Sequence, residues 1–160
     1  MNEQQTELAA QLGQALKQRG WRVTCAESCT GGGVAAAITA ISGSSDWFDA
    51  GFVTYSNAMK QRLLKVSADT LNSLGAVSQA VVEQMANGAI ELAGANIAVA
   101  VSGIAGPDGG SADKPVGTVW FAWAGPDSLV TKCCLFSGDR AAVREQAVSE
   151  ALRGLLALCY

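Results

Sequence analysis

The run Asn96-Ile-Ala-Val-Ala-Val-Ser102 is apolar at nearly every position, and it constrains the fold more than any other stretch of the chain. A strand with no polar face has no side to offer water, so it belongs at the centre of a sheet covered by helices on both faces. The chain supplies those helices. Glu7 to Arg19 places Leu8, Leu12, Ala15 and Leu16 at helical spacing, with Gly20 set to stop it. Gln79 to Ala93, behind a Ser78 cap, turns Val81, Val82, Met85, Ala89 and Leu92 to one side. Ala141 to Leu158 follows Ser137-Gly-Asp139 as a final amphipathic helix.

Shorter helical periods cover Gly31 to Ile41 behind Thr30, Ala58 to Leu64 behind Ser56-Asn57, and Asp69 to Leu74 before Gly75. Strands are predicted at Trp21 to Ala26 and Trp47 to Tyr55, and Gly125-Pro-Asp127 joins Val116–Ala124 to Ser128–Phe136 as a hairpin. Strands alternating with helices predict an α/β fold: a single-domain layered α/β/α sandwich over residues 1–160, with a mixed, mostly parallel sheet and a C-terminal hairpin and helix.

Composition removes several classes of function. Hydrophobic residues make up 49% and charged residues 16% of the 160 positions, which describes a compact domain rather than a disordered chain. A net charge of -3, with only 11 Lys and Arg, leaves no basic stripe for a nucleic-acid partner. No apolar run approaches the roughly 18 residues of a membrane span, and Met1-Asn-Glu-Gln-Gln5 lacks the basic start of a leader; a cytoplasmic protein is expected. Five cysteines, with Cys133 and Cys134 adjacent, read as reduced thiols rather than a disulfide framework. Cys25, Cys133, Cys134 and Cys159 fall on strand or helix patterns and read as packing. With no histidine and no Cys-x-x-Cys pair, a zinc site is not expected.

One turn carries chemistry. Ala26-Glu-Ser-Cys-Thr-Gly-Gly-Gly33 joins a strand to a small-residue helix, where free backbone N–H groups and a helix dipole suit a phosphate or an oxyanion. It offers two nucleophiles, Ser28 and Cys29, although a serine here also serves as a helix cap and a cysteine as apolar filler. The glycines fit either close approach to a ligand or close packing of the helix. No Gly-x-Ser-x-Gly elbow or Walker loop is present. The absence of histidine excludes a Ser-His-Asp triad or Cys-His pair, so a base must be Lys, Glu, Asp or Tyr.

Lys60 is the candidate base. It lies just inside a helix whose positive end disfavours the ammonium, and Tyr55 or Phe52 would desolvate it; an ordinary solvated lysine is the alternative. Gly103-Ile-Ala-Gly-Pro-Asp-Gly-Gly-Ser111 offers more N–H donors, with Asp108 and Asp113 for sugar hydroxyls, although Pro107-Asp-Gly109 is also an ordinary turn. Arg140 and Arg144, one helical turn apart, suit a phosphate clamp or a solvated face. The Ser28 turn, the Tyr55 turn and the Gly103 loop all follow strand ends, which places them on one rim. The residues alone point to acyl transfer on a phosphate-bearing substrate.

A set of segments in order along the chain resembles the CinA C-terminal family, the nicotinamide-nucleotide amidohydrolases. They are Thr24-Cys-Ala-Glu-Ser-Cys-Thr-Gly-Gly32, Gly51-Phe-Val-Thr-Tyr-Ser-Asn57 with Lys60, Gly75-Ala-Val-Ser78, Ser102-Gly-Ile-Ala-Gly-Pro-Asp-Gly-Gly110, Lys114-Pro-Val-Gly-Thr-Val119, and Phe136-Ser-Gly-Asp-Arg140 with Arg144. The resemblance implies hydrolysis of nicotinamide mononucleotide to nicotinic acid mononucleotide and ammonia, a step of pyridine nucleotide salvage. It matches the family's serine nucleophile to Ser28 and its lysine base to Lys60, with Tyr55 as a supporting hydroxyl and no cofactor or metal. Physical reasoning adds Thr30, Gly31, Gly32, Gly103, Ile104 and Ala105 as oxyanion and substrate donors, and Arg144 before Arg140 for the phosphate.

Many relatives carry a larger N-terminal domain that these residues do not include, so a free-standing deamidase is expected. The small, apolar helix faces suit a homodimer. A nucleotide-sensing domain that binds without chemistry is the competing class.

Overall fold

The computed structural model describes residues 1–160. Helix α1 spans Glu3–Arg19; the Asn2 side chain accepts from the Gln5 N–H at 2.8 Å to cap it, and Gly20 closes it at φ 66°. Strand β1 (Val23–Glu27) leads through the Ser28 turn to helix α2 (Gly33–Thr39). A two-residue strand β2 (Phe52–Val53) precedes helices α3 (Asn57–Leu64), α4 (Ala68–Leu74) and α5 (Gln79–Ala93). Strands β3 (Ile97–Gly103), β4 (Thr118–Ala124) and β5 (Leu129–Leu135) follow, then helix α6 (Arg140–Leu158), capped by Asp139.

The five strands lie in the order β2-β1-β3-β4-β5. β1 is parallel to β2 and β3, whereas β4 runs antiparallel to both of its neighbours, so the sheet is mixed and β4 alone opposes the common direction. As the sequence requires, β3 is buried on both faces. Its side chains alternate in size, and so do those of β4 from Phe121 to Ala124. One face carries Ile97, Val99, Val101, Val119, Phe121 and Trp123 against α1, α2 and α6. The other carries Ala26, Ala98, Ala100, Ala122 and Ala124, which lets α5 lie close to the sheet.

α5 in turn receives α3. A Cβ on Gly88 would run into the carbonyl of Leu64, so the two helices touch backbone to backbone at that point. The alanine face and Gly88 thereby fix the height of α3, the helix that carries Lys60.

The strand expected over Trp47 to Tyr55 is corrected by the structure. Only Phe52 and Val53 pair as a strand, and Phe48 makes a single bridge to Val23. Trp47 is aromatic for packing: its ring fills the space above Gly13 of α1. Gly51 passes so close to the Cys25 sulfur that a Cβ there would sit 2.7 Å from it. No helix is long and apolar enough to cross a membrane.

Gly88→Ala tests the close seat of α3 on α5. Alanine gains about 1 kcal/mol of helix propensity, but overpacking costs about 1–3 kcal/mol, and more where backbone must move. A fall in Tm of about 2–8 °C is expected in thermal unfolding, and an unchanged Tm would contradict the contact.

Candidate active site

Three of the four strands that share a direction, β1, β2 and β3, end on one rim. Ser28 follows β1, Thr54 and Tyr55 follow β2, and the Ile104–Gly109 loop follows β3. Strand order reverses between β1 and β3, which is where open α/β sheets leave a crevice. There Ser28, Cys29, Tyr55, Gly103, Ile104, Ala105, Asp108 and Arg140 line a cleft of about 270 Å³.

Lys60 closes the site from below. A helical side chain leans toward its helix N-terminus, so Lys60, in the first turn of α3, reaches back to the residues that precede the helix. Its residue is 1% exposed. Nζ lies 3.0 Å from the Ser28 hydroxyl, 2.9 Å from the Thr54 carbonyl and 3.1 Å from the Tyr55 carbonyl. Burial holds its pKa below the ordinary lysine value, with the neighbouring Cys29 acting weakly the other way. No carboxylate pairs with it. The one buried side-chain polar atom without a partner, the Thr54 hydroxyl, belongs to this same strand end.

The α2 N-terminus, expected to be free for an anion, is already occupied. The carboxylate of Glu27, 0% exposed, accepts from the Thr30 hydroxyl at 2.6 Å and from the N–H groups of Gly32, Val34 and Ala35 at 3.2, 2.9 and 3.0 Å. Thr30 is therefore not the side-chain cap of α2; it donates to Glu27, and Gly32 stands at the cap position with φ 104°.

This corrects part of the donor set. The N–H of Gly31 is used by the Ser28 carbonyl, that of Gly32 by Glu27, and that of Ile104 by Thr118. The N–H groups of Cys29 and Ala105, both in buried residues lining the cleft, have no acceptor in the protein. Gly103 serves packing, since a Cβ there would sit 2.6 Å from Val119. Gly33 likewise packs α2 on α6, with its would-be Cβ 2.8 Å from Val148.

Of the two arginines proposed for the phosphate, only Arg140 lines this cleft. Arg144 donates to the carbonyls of Cys29 and Thr30 at 3.1 and 3.3 Å, bracing the turn from its outer side, and it lines a different groove. Arg140 lines the cleft, donating to the Gly106 carbonyl at 2.8 Å and to the Tyr55 hydroxyl at 3.2 Å. Tyr55 is 61% exposed, so its ring does not bury Lys60, and its hydroxyl bonds neither Lys60 nor Ser28. Asp108 lines the cleft and Asp113 does not.

Cys29 is buried, and its thiol is pushed up to about 11, first by burial and then by Glu27. That leaves a thiol rather than a thiolate at neutral pH. Cys25 and Cys159 are packed as expected, but Cys133 is exposed on the edge strand β5.

Comparison with known proteins places this arrangement. The CinA C-terminal domain matches residues 5–159. The chain belongs to that family. Among similar proteins, the nicotinamide-nucleotide amidohydrolase PncC of Enterobacter agglomerans is 63% identical over 151 residues, 94% of this chain and 92% of the relative. The protein of the same name from Escherichia coli K12 is 58% identical over 150 residues, 93% of this chain and 91% of its own length. The solved competence/damage inducible protein CihA from Agrobacterium tumefaciens superposes on this chain with a TM-score of 0.98 at 42% identity, over 100% of this chain and 98% of its own.

Of the residues singled out in the sequence, Ser28, Lys60 and Arg140 come together at this rim, whereas the buried carboxylate of Glu27 beside them was not foreseen. The available signal was a lone acid between an apolar strand and a helix with no charged first turn.

Burial of Lys60 makes stability depend on pH. The fold disfavours the ammonium, so its penalty is full below the lowered folded pKa and is relieved as pH rises toward the ordinary value of about 10.4. Wild-type stability is expected to rise relative to Lys60→Met as pH climbs toward the ordinary lysine value of about 10.4 in denaturant titrations. A difference that does not change with pH would show that the amine is unperturbed.

Proposed function

We propose that the protein hydrolyses the carboxamide of nicotinamide mononucleotide, giving nicotinic acid mononucleotide and ammonia in pyridine nucleotide salvage. The relatives named for that activity support the reaction, and the environment of Lys60 Nζ carries the mechanism. A neutral amine has two N–H donors and one lone pair. Thr54 and Tyr55 offer two carbonyls that accept from Nζ, and the Ser28 hydroxyl, which accepts the third N–H of the ammonium, can turn its own O–H to the lone pair once the amine is neutral. That partner set suits a general base.

Lys60 takes the Ser28 proton as the oxygen attacks the carboxamide carbon. The oxyanion that forms is held by the free N–H groups of Cys29 and Ala105, in the manner of an oxyanion hole. The Lys60 ammonium then gives its proton to the departing nitrogen, and ammonia leaves an acyl-Ser28 ester. Water, deprotonated by Lys60, hydrolyses the ester and restores Ser28.

A cleft of about 270 Å³ is near the lower end for ligand sites, about 300–1,000 Å³. It suits the pyridine ring with its amide, leaving the ribose near Asp108 and the phosphate near Arg140. Tyr55 supports the site by orienting Arg140 and lending its carbonyl to Lys60.

Ser28→Ala and Lys60→Ala are each expected to lower kcat for ammonia release by about a thousandfold or more in folded protein, whereas Cys29→Ser keeps activity. Wild-type rates in both of the first two variants would rule out the dyad. Because Lys60 must be neutral, kcat is expected to rise with pH along one limb whose apparent pKa lies below that of a free lysine. Arg140→Ala is expected to raise KM for the mononucleotide about tenfold to a hundredfold, the worth of a charged hydrogen bond, while leaving KM for nicotinamide riboside little changed. Equal effects on both substrates would remove the phosphate role.

A further inference from the structure

We propose that Glu27 is a positioning residue for the reaction, holding Ser28 Oγ on Lys60 by clasping the turn between β1 and α2. The inference rests on the dyad reading above, but its geometric part stands without it. Glu27 is the last residue of β1, and Ser28 is the first of the turn. From that strand end the carboxylate reaches across the turn. Oε1 accepts from the Thr30 hydroxyl and from the N–H groups of Gly32 and Val34, and Oε2 accepts from the Ala35 N–H.

An ordinary cap would not require this arrangement. A serine or asparagine beside the helix satisfies one or two end N–H groups at the surface, whereas a fully buried carboxylate is costly unless several donors meet it. Glu27 is met by four from the turn and the helix, and by the Cys25 thiol of its own strand at 3.6 Å. The segment it spans has no conformational preference of its own: Gly31 and Gly32 sit at φ 58° and 104°, where glycine moves freely. The clasp selects one path through that freedom.

Arg144 braces the outer side of the turn through the Cys29 and Thr30 carbonyls. The Ser28 N–H is tied to the Val101 carbonyl at 3.0 Å. With both sides held, Ser28 Oγ has one position, 3.0 Å from Lys60 Nζ. The same clasp leaves the Cys29 N–H pointing to no protein acceptor.

Glu27→Gln tests this. Glutamine keeps the shape but replaces one oxygen with N–H₂, which must face a backbone donor and push part of the turn away. Two measurements are made on the full chain: kcat and KM for ammonia release from nicotinamide mononucleotide, and the Ser28–Lys60 separation in a crystal structure of the variant. A displacement of about 1 Å can cost about a hundredfold in rate. We therefore expect kcat to fall by at least tenfold per folded enzyme with KM little changed, and the separation to exceed hydrogen-bond range. A lower Tm with unchanged kcat and an unchanged separation would overturn the proposal, leaving a purely structural cap. If wild-type protein releases no ammonia, the functional reading fails, and the crystal structure still decides the clasp. Thr30→Val, which removes one donor to Oε1, gives the same measurements should Glu27→Gln not fold; a kcat and a separation both equal to wild type would then count against the clasp.

Discussion

A buried amine resting on a serine hydroxyl is the interaction from which the other features follow. Lys60 is among the largest fully buried side chains in the molecule, and it has no carboxylate to offset the loss of water. Burial of that kind drives the amine toward its neutral form. The fold tolerates it because two carbonyls and one hydroxyl complete its hydrogen bonds. The opposing carboxylate, Glu27, is occupied with the turn rather than with the lysine.

Much of the architecture was legible from residue spacing. Strand β3 was marked by its unbroken apolar run, and the long helices by their periods, the first also by its stop at Gly20. The gathering of three strand ends on one rim was legible as well, because it follows from parallel connectivity. Trp47 to Tyr55 was not: its aromatic and β-branched residues have strand propensity, but Trp47 and Phe48 are spent on packing and only two residues pair. Propensity cannot distinguish a ring that lies in a ladder from one that fills a gap over Gly13.

At the site, Ser28 and Lys60 were legible because an absence of histidine left few candidate bases. What sequence could not reveal was who uses which hydrogen bond. The glycine-rich turn reads as a cluster of free donors, yet Gly31 and Gly32 are consumed internally and the helix end belongs to Glu27. Arg140 and Arg144 are one turn apart on the same helix, and only three-dimensional placement shows that one faces the cleft while the other grips the turn.

The alanines of the second sheet face act as a spacer of fixed thickness. Ala98, Ala100, Ala122 and Ala124 set how near α5 approaches, and α5 sets α3 through Gly88. Thickening that layer by a single methyl group would lift a helix whose other end presents the amine to Ser28. The reach of the active site therefore extends through the sheet to residues that never meet a substrate, and the tolerance of the molecule to change is unequal on its two sides.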